Sequence, residues 1–538
     1  MNKRARRNIA FYLIFITMMM FGFVNCGGSD NGSGDIDLAS NDDLSEPPEP
    51  PPADSTAGIP YYSYSTLIDG NSGTIANASW EVIRDVAYDS AGNMYVTGGT
   101  AASDFPTLNA YDSTFNVARI HPGTVDMDVF VMKLNPFGKI IWSTFIGSGD
   151  YDRAYSLELG PNGDVYVAGR AGEGYPTTAG VVQPTFSGDR SPNQAYGFQD
   201  GFVSKFSQDG RHLWSTYIGE AGPGFIRDIA VDSQDRVHIA FTNMNSPLPY
   251  ISANASQKAI RGAGDAAYVV LRGDGQQIIH ATYFGGSDAG KKDGLTPSIQ
   301  VNSRDEAIML TLSNADDLPI TPNAYQQTRR GGYDFVIVKY TANFQIDFCT
   351  YLGGRGHEFL ETHELALDSV DNIYIASGTD SLDYPITAGA FQPQLKNSQD
   401  IIISKLSPNG SQLLNSTYFG GTANEYVEGV TFDAYSNRLI VTGNTLSTDF
   451  PTTSNALDQT ANGGSDALLV AFDLSLQPIY SSYFGGSGHD QARGIATSAQ
   501  GKILFGGMTA SPSIPLKNPI DATRAGTWGV FLTEIGFQ

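Results

Sequence analysis

Cysteine is nearly absent from this chain: Cys26 and Cys349 are the two among 538 residues. Cys26 is assigned below to another role, so no pair remains for an internal disulfide, and Cys349 reads as a small strand residue. Charge is also sparse, at 16 % of residues, and it is lopsided. Thirty-two Lys and Arg face 56 Asp and Glu, a formal net charge of −24. Phosphate backbones and anionic membrane surfaces are bound by basic faces, so nucleic acid is excluded as a partner and a cationic or neutral one fits the overall balance. Outside the N-terminus there is no stretch of helical period of convincing length. No GxSxG, HExxH or Walker motif occurs, nor a dinucleotide fingerprint after a strand. The seven histidines are scattered. These absences remove the motif-borne hydrolase, metalloprotease and nucleotide-binding chemistries. They lead to the expectation of no cofactor, no metal and no catalytic residue.

What is abundant is glycine (60 residues) and aromatic side chains (11 %), with Tyr and Phe far ahead of Trp. Many turns together with many aromatic and β-branched residues suit an all-β protein of short strands. A hexapeptide organises the rest: STLIDG from Ser65, STFIGS from Ser143, STYIGE from Ser215, ATYFGG from Ala281, CTYLGG from Cys349, STYFGG from Ser416 and SSYFGG from Ser481. Alternating apolar and small polar residues before a glycine describe a half-buried strand ending in a turn, and a regular spacing of this length marks a repeat architecture.

One unit shows the plan. Leu413–Phe419 is a strand, Glu428–Phe432 a second, Arg438–Thr442 a third after a turn at Asp433–Asn437, and Asp466–Phe472 a fourth. Between the third and fourth lies a loop carrying Asp449-Phe450-Pro451-Thr452. Four strands on tight turns make one antiparallel sheet. The other units repeat the turn (Asp89–Gly98, Gly160–Gly169, Asp232–Ala240, Asp368–Gly378), the aromatic–Pro pair (Phe105-Pro106, Tyr175-Pro176, Tyr384-Pro385) and an aspartate opening the fourth strand (Asp128, Asp200, Asp265, Asp334, Asp400, Asp466). In the last unit the alignment puts Trp528 in place of that Asp and Thr533 in place of the Lys found at Lys133, Lys205, Lys339 and Lys405.

These motifs resemble the bacterial SBBP β-propeller repeat family, from about residue 61 to the C-terminus. The resemblance implies a propeller, often secreted or surface-exposed, and no defined activity. Strand counting sharpens it. The first hexapeptide copy has no three strands before it, and the sequence ends where another copy is due. The fold expected is an all-β, seven-bladed propeller of four antiparallel strands per blade, the last blade completed by the N-terminal strand.

The first 25 residues read as a lipoprotein signal peptide, with the basic run Lys3–Arg7 and an apolar stretch to Val24. Cys26 follows and resembles the lipidated cysteine of a bacterial lipobox, although Asn25 departs from the usual small residue before it. Residues 26–59, acidic and rich in proline, read as a solvated tether, and residues 60–538 as a single propeller domain. The localisation expected is the bacterial outer membrane, reached through a lipid on Cys26, facing the periplasm or the cell surface. The protein is expected to be a monomer.

In a symmetric repeat, function belongs where the units disagree. The inserts 118–126 and 187–199 bring forward Tyr111, Arg119, His121, Arg190 and Tyr196 as partner-binding residues, since loops on a rigid scaffold carry recognition. A third insert spans Lys291–Gly294. His357, Glu358, Glu361, His363 and Glu364 form the densest polar cluster, but Glu358 aligns with Asp152, Glu425 and Asp490 as a loop-fixing acceptor. The role expected is a non-enzymatic binding or scaffold module for protein or glycan. The alternatives are a hydrolase or lyase with its site at one channel mouth and a purely structural envelope protein.

Overall fold

The computed structural model describes residues 58–70, 81–116, 126–193, 196–220, 225–242, 246–288, 291 and 293–538. The expected signal peptide, Cys26, nearly all of the tether, Arg119 and His121 lie outside them.

Seven antiparallel sheets follow one another along the chain. Six take their strands in sequence order, and the seventh adds the N-terminal strand beside its last. The first strands are Glu81–Tyr88 in blade 1, Arg153–Leu159 in blade 2, Ile226–Val231 in blade 3 and Asp293–Val301 in blade 4. In blade 5 the first strand is broken into Glu358–Phe359 and Leu365–Leu367. Blades 6 and 7 begin with Glu425–Asp433 and Asp490–Thr497. These first strands touch one another around the ring, that of blade 7 meeting that of blade 1, so they line the axis. The hexapeptide strands, such as Leu413–Phe419 and Pro478–Phe484, form the outer edge. This is the seven-bladed propeller that strand counting predicts.

The closure is also as predicted. Pro60–Ile68 pairs antiparallel with Gly529–Phe537, from Pro60 opposite Phe537 to Ile68 opposite Val530, and completes blade 7. The register corrects one alignment. Gly529 sits opposite Thr509 as Asp128 sits opposite Thr100, and Glu534 opposite Leu504 as Lys133 opposite Tyr95. The residues replacing the Asp and the Lys in the last unit are therefore Gly529 and Glu534, not Trp528 and Thr533. Gly529 leaves the space that the Asp69 carboxylate fills, accepting from Val530 N at 3.1 Å.

The core is seven apolar clusters, each wedged between two adjacent blades. Phe419, Phe450 and Tyr483 join blades 5 and 6, and Phe484, Phe505 and Phe531 join blades 6 and 7. The cluster holding Tyr64, Ile68, Ile83 and Val96 closes the ring between blades 7 and 1. Full burial of one such side chain contributes roughly 1.5–3 kcal/mol. The hexapeptide tyrosine braces the aromatic–Pro loop. The Tyr418 hydroxyl donates to Ser381 O at 2.6 Å and accepts from Tyr384 N at 3.1 Å, and Tyr483 does the same to Ser447 O and Phe450 N.

Candidate functional site

Six of the seven first strands carry a bulge at the same level. The pairing skips Arg84 in blade 1, Tyr155 in blade 2, Arg227 in blade 3, Thr296 and Pro297 in blade 4, Glu428 in blade 6 and Arg493 in blade 7. A bulge adds a residue to one strand and re-aims its side chain. The sequence shows the cause one strand further out. A Cβ at Gly98, Gly169, Gly443 or Gly507 would collide with the carbonyl oxygen of Val82, Arg153, Tyr426 or Gln491, each just before a bulge, so glycine is required opposite it.

The bulge side chains meet at the axis around Tyr155. The guanidinium carbon of Arg84 lies 4.7 Å from its ring centre, that of Arg153 4.6 Å and that of Arg227 5.2 Å. Arg170, from the second strand of blade 2 (Val165–Ala171), donates Nε to the Tyr155 hydroxyl at 2.9 Å, and Arg153 donates to the same oxygen. Phe225 stacks on the other side, 5.6 Å between centroids. Across the axis Arg493 is ion-paired with Glu428, and Arg227 lies 3.8 Å from Glu361.

Electrostatics follow from this crowding. Burial alone would raise the Tyr155 phenol, but Arg153, Arg170, Arg227 and Arg84 bring it down to about 6. Burial, with Arg493 and Arg153 nearby, lowers Arg84 to about 9. Burial likewise lowers Arg227 and raises Glu428. Five guanidinium groups thus crowd the Tyr155 phenol and the carboxylates Glu361 and Glu428, with Glu364 beside these two, in a chain whose overall charge is strongly negative. The Nε–H groups of Arg84, Arg153, Arg227 and Arg493 have no acceptor among the described residues. Leaving a buried charged donor unpaired costs about 1–3 kcal/mol or more, offset in part where Arg84, Arg153 and Arg227 lie on the Tyr155 ring.

Blade 5 departs from the others. Its first strand breaks, and Leu360–Glu364 cross the channel beneath the arginines. The Leu360 carbonyl accepts from Thr296 Oγ1 at 2.8 Å, and Thr362 Oγ1 accepts from Arg84 Nη2 at 3.2 Å. The carbonyl of His363 accepts from Val430 N at 2.7 Å. Its ring reaches the Tyr155 carbonyl at 2.8 Å, Asp228 at 3.3 Å and Asp85 at 3.7 Å. Burial opposes protonation of His363, but Asp85 and Asp228 outweigh it and raise the imidazole to about 10. The residue pays for this position with a left-handed backbone, φ 60°. Below it, burial together with Asp85 and Asp228 pushes Glu158 up to about 8.

The residues singled out from sequence divide sharply. Tyr196 does reach the channel: its ring lies 4.5 Å from Arg170 and 4.9 Å from Tyr151. Arg190 lies on the added strand Asp189–Asn193, paired with Gly197–Phe206, and its side chain is outside the described part. Tyr111 stands elsewhere, 4.6 Å from His212 on the outer strand of blade 2. His357 and His363 are separated, His357 half-exposed beside Asp380 and His363 at the axis. Glu358 fixes its loop as the alignment implied, accepting from Thr379, Ser381 and Gly354 N. The fourth-strand aspartates accept backbone amides, as Asp400 does from Lys396 N at 2.8 Å.

Sequence reasoning missed Arg84, Arg153, Tyr155, Arg170, Arg227 and Arg493. A signal existed. Three residues after the recurring acid, at Glu81, Asp152, Glu425 and Asp490, stand Arg84, Tyr155, Glu428 and Arg493, unlike residues at one repeat position.

No family model and no curated protein matches the chain. Solved structures similar to it include a protein of unknown function from Dyadobacter fermentans (9 % identity, TM-score 0.38, covering 89 % of this chain and 99 % of that one). The β-propeller domain of the Trilobed protease from Pyrococcus furiosus is similar at 8 % identity and TM-score 0.40, over 85 % of this chain and 94 % of that one. The polysaccharide lyase Uly1 is similar at 7 % and 0.40, over 89 % and 99 %. Likenesses this distant bear on no function, and the site stands on its own geometry.

Proposed function

We propose that this chain is a lipid-anchored, extracytoplasmic propeller of the SBBP type that binds an acidic glycan through the arginine cluster of its channel. The anchor is Cys26, and the compartment is the bacterial outer membrane, at its periplasmic or outer surface; the N-terminal sequence supports both. The observation that carries the ligand class is the set of Arg84, Arg153, Arg227 and Arg493, whose Nε–H groups lack acceptors at the axis. A planar carboxylate or a sulfate suits such forks, and charge-assisted bonds of this kind are the strong ones. The acidic exterior disfavours a densely charged polyanion and tolerates a glycan with sparse acidic residues. Calorimetric titration with uronate-bearing oligosaccharides tests the reading. Binding that weakens about tenfold in Arg227→Gln supports it, and heat no different from that of neutral oligosaccharides overturns it.

A second reading, acid–base catalysis on the same ligand, has one observation in its favour: a tyrosine held among arginines with its phenol brought down to about 6. Chain cleavage with appearance of an unsaturated uronate, lost in Tyr155→Phe, supports this reading. Unchanged oligosaccharide after prolonged incubation removes it.

A further inference from the structure

Where neighbouring blades meet, carboxyl groups face each other. The aspartate that opens one strand stands beside an acid at the head of the next blade's axial strand. The pairs are Asp128 and Asp152 between blades 1 and 2, Asp334 and Glu358 between 4 and 5, Asp400 and Glu425 between 5 and 6, and Asp466 and Asp490 between 6 and 7. Between blades 7 and 1, Asp69 takes the aspartate's place beside Glu81. Asp69 apart, every member is 1 % exposed or less. At the seam of blades 5 and 6, Glu425 Oε1 accepts from Gly421 N at 3.3 Å, Thr445 at 2.9 Å and Ser447 at 2.5 Å. Asp400 Oδ2 accepts from Gln392 Nε2 at 2.6 Å and Lys396 N at 2.8 Å. The other oxygen of each, Glu425 Oε2 and Asp400 Oδ1, accepts no hydrogen bond among the described residues. Both lie against the α-carbon of Gly420, where a Cβ would stand 2.5 Å from the first and 3.0 Å from the second. Glu81 Oε2, Asp128 Oδ1, Glu358 Oε2 and Asp466 Oδ1 likewise lack a donor among the described residues, so each of the five pairs keeps at least one such oxygen.

Two like charges buried side by side do not both stay ionised unless something positive joins them. A calcium-like cation needs about six oxygens. Here the second oxygen of each carboxyl group is already occupied by amide and hydroxyl donors, and the glycine α-carbon stands against the free ones. No third acid or histidine completes a metal-binding group among the described residues. Lys396 directs its Nζ to the Gly420 carbonyl at 3.0 Å. A proton needs only two oxygens. We propose that each pair shares one proton, so that the seams between blades are latches that tighten the ring as pH falls and loosen it as pH rises. Burial, with the Asp400 charge adding to it, raises Glu425 from 4.5 to about 7, and burial with Asp334 raises Glu358 to about 8. Besides Lys396, the titratable groups facing the pair of blades 5 and 6 are Asp449, which accepts from Thr422 N at 2.8 Å, and the phenols of Tyr418 and Tyr483. Burial pushes both phenols up to about 12, so they stay neutral while the pair titrates. The stability Glu425 contributes is complete below pH 4.5 and is lost as pH rises through 7. That direction is the reverse of ordinary acid unfolding.

The test unfolds the full chain in denaturant at a series of pH values. As pH rises from 4.5 to about 7, the latch at Glu425 should lower the folding constant by up to about tenfold per pH unit. Glu425→Gln places a permanent N–H opposite Asp400 Oδ1 and should remove that tenfold step per unit from the profile of the parent. Glu358→Gln should do the same at the seam of blades 4 and 5, and serves if the first variant does not fold. Infrared spectra read the proton itself. At a pH of about 6, where ordinary carboxyl groups are ionised, the wild type should show the carbonyl stretch of protonated, solvent-shielded carboxyl groups, weaker in Glu425→Gln. Absence of that band in the wild type, or an unchanged pH profile in both variants, overturns the proposal. Calcium that raises the melting temperature of the wild type and not of Glu425→Gln assigns the seam to a cation and overturns it as well.

Discussion

Between blades 5 and 6 the ring of Phe419 meets Phe450 and Phe472 at centroid distances of 5.2 and 5.1 Å. Between blades 6 and 7 the ring of Phe484 meets Phe505 and Phe531 at 5.2 and 4.9 Å. The next interface keeps the aromatic wedge with exchanged positions: Phe505 and Phe531 stand where blade 6 has Val441 and Leu468, and Ile535 stands where it has Phe472. A short way inward, at the bulge, the same two blades carry Glu428 and Arg493, and others carry Tyr155 or Arg84. A wedge residue faces the next copy of its own repeat, so a change at one position must be matched by its neighbour. A bulge residue faces the other members of a closed ring, where no two environments are alike. Repetition constrains the first set and leaves the second free to diverge. Stability should therefore reside in the wedges and ligand chemistry in the bulges.

The largest effect should come from breaking a wedge. Phe419→Ala removes a buried ring with three aromatic neighbours, Phe391, Phe450 and Phe472, and is expected to cost about 3–5 kcal/mol in denaturant unfolding, while leaving any channel ligand's affinity unchanged in the fraction that stays folded. Tyr418→Phe is smaller. It removes the donor to Ser381 O and strands the buried Tyr384 N, for about 1–3 kcal/mol. The same truncation at Tyr483 should cost a similar amount, because its partners Ser447 O and Phe450 N are equivalent. A large difference between the two would mean that the blades are less interchangeable than their geometry. Arg227→Gln reverses the pattern. Its side chain is mostly buried on the Tyr155 and Phe225 rings and its ion-pair partner Glu361 lies at 3.8 Å, so unfolding should move by no more than about 1–2 kcal/mol, with the larger loss appearing in ligand affinity.

That division also explains what the sequence made legible. The fold was readable because every blade repeats the strand, glycine and aromatic positions that build wedges, and ring closure followed from an unmatched strand at the front of the chain. The channel was not. Arg84, Tyr155, Arg227, Glu428 and Arg493 are far apart in sequence and meet only when the ring closes. Their inward aim depends on a bulge that strict alternation along a strand does not foresee. Blade 5 hid its departure for a different reason. His363 stood beside carboxylates in the densest polar cluster of the sequence, yet its partners are Asp85 and Asp228 from other blades. Tyr196 was found because the insert carrying it interrupts the period visibly.

The most discriminating effect is one of slope rather than size, because two bulge-level groups titrate against each other. His363 is raised from 6.5 to about 10 by Asp85 and Asp228, against its burial. Its contribution is complete below pH 6.5 and is lost as pH rises through 10. Tyr155 is lowered from 10.0 to about 6 by its arginines, again against burial. Its contribution is complete above pH 10 and is lost as pH falls through 6. Over the shared window from about 6.5 to 10 the unfolded chain has released the histidine proton and kept the phenolic one, while the folded chain has done the reverse. The two slopes, each at most about 1.4 kcal/mol per pH unit, oppose each other in the wild type, whose remaining slope is set by other buried groups such as Glu158. Tyr155→Phe should unmask the histidine and lose stability with rising pH. His363→Gln should unmask the phenolate and gain it. Chemical denaturation at a series of pH values reads both, and ultraviolet titration should show one phenolate forming near pH 6 in the wild type and none in Tyr155→Phe. If both variants keep the slope of the parent, the arginines and aspartates do not hold these two charges.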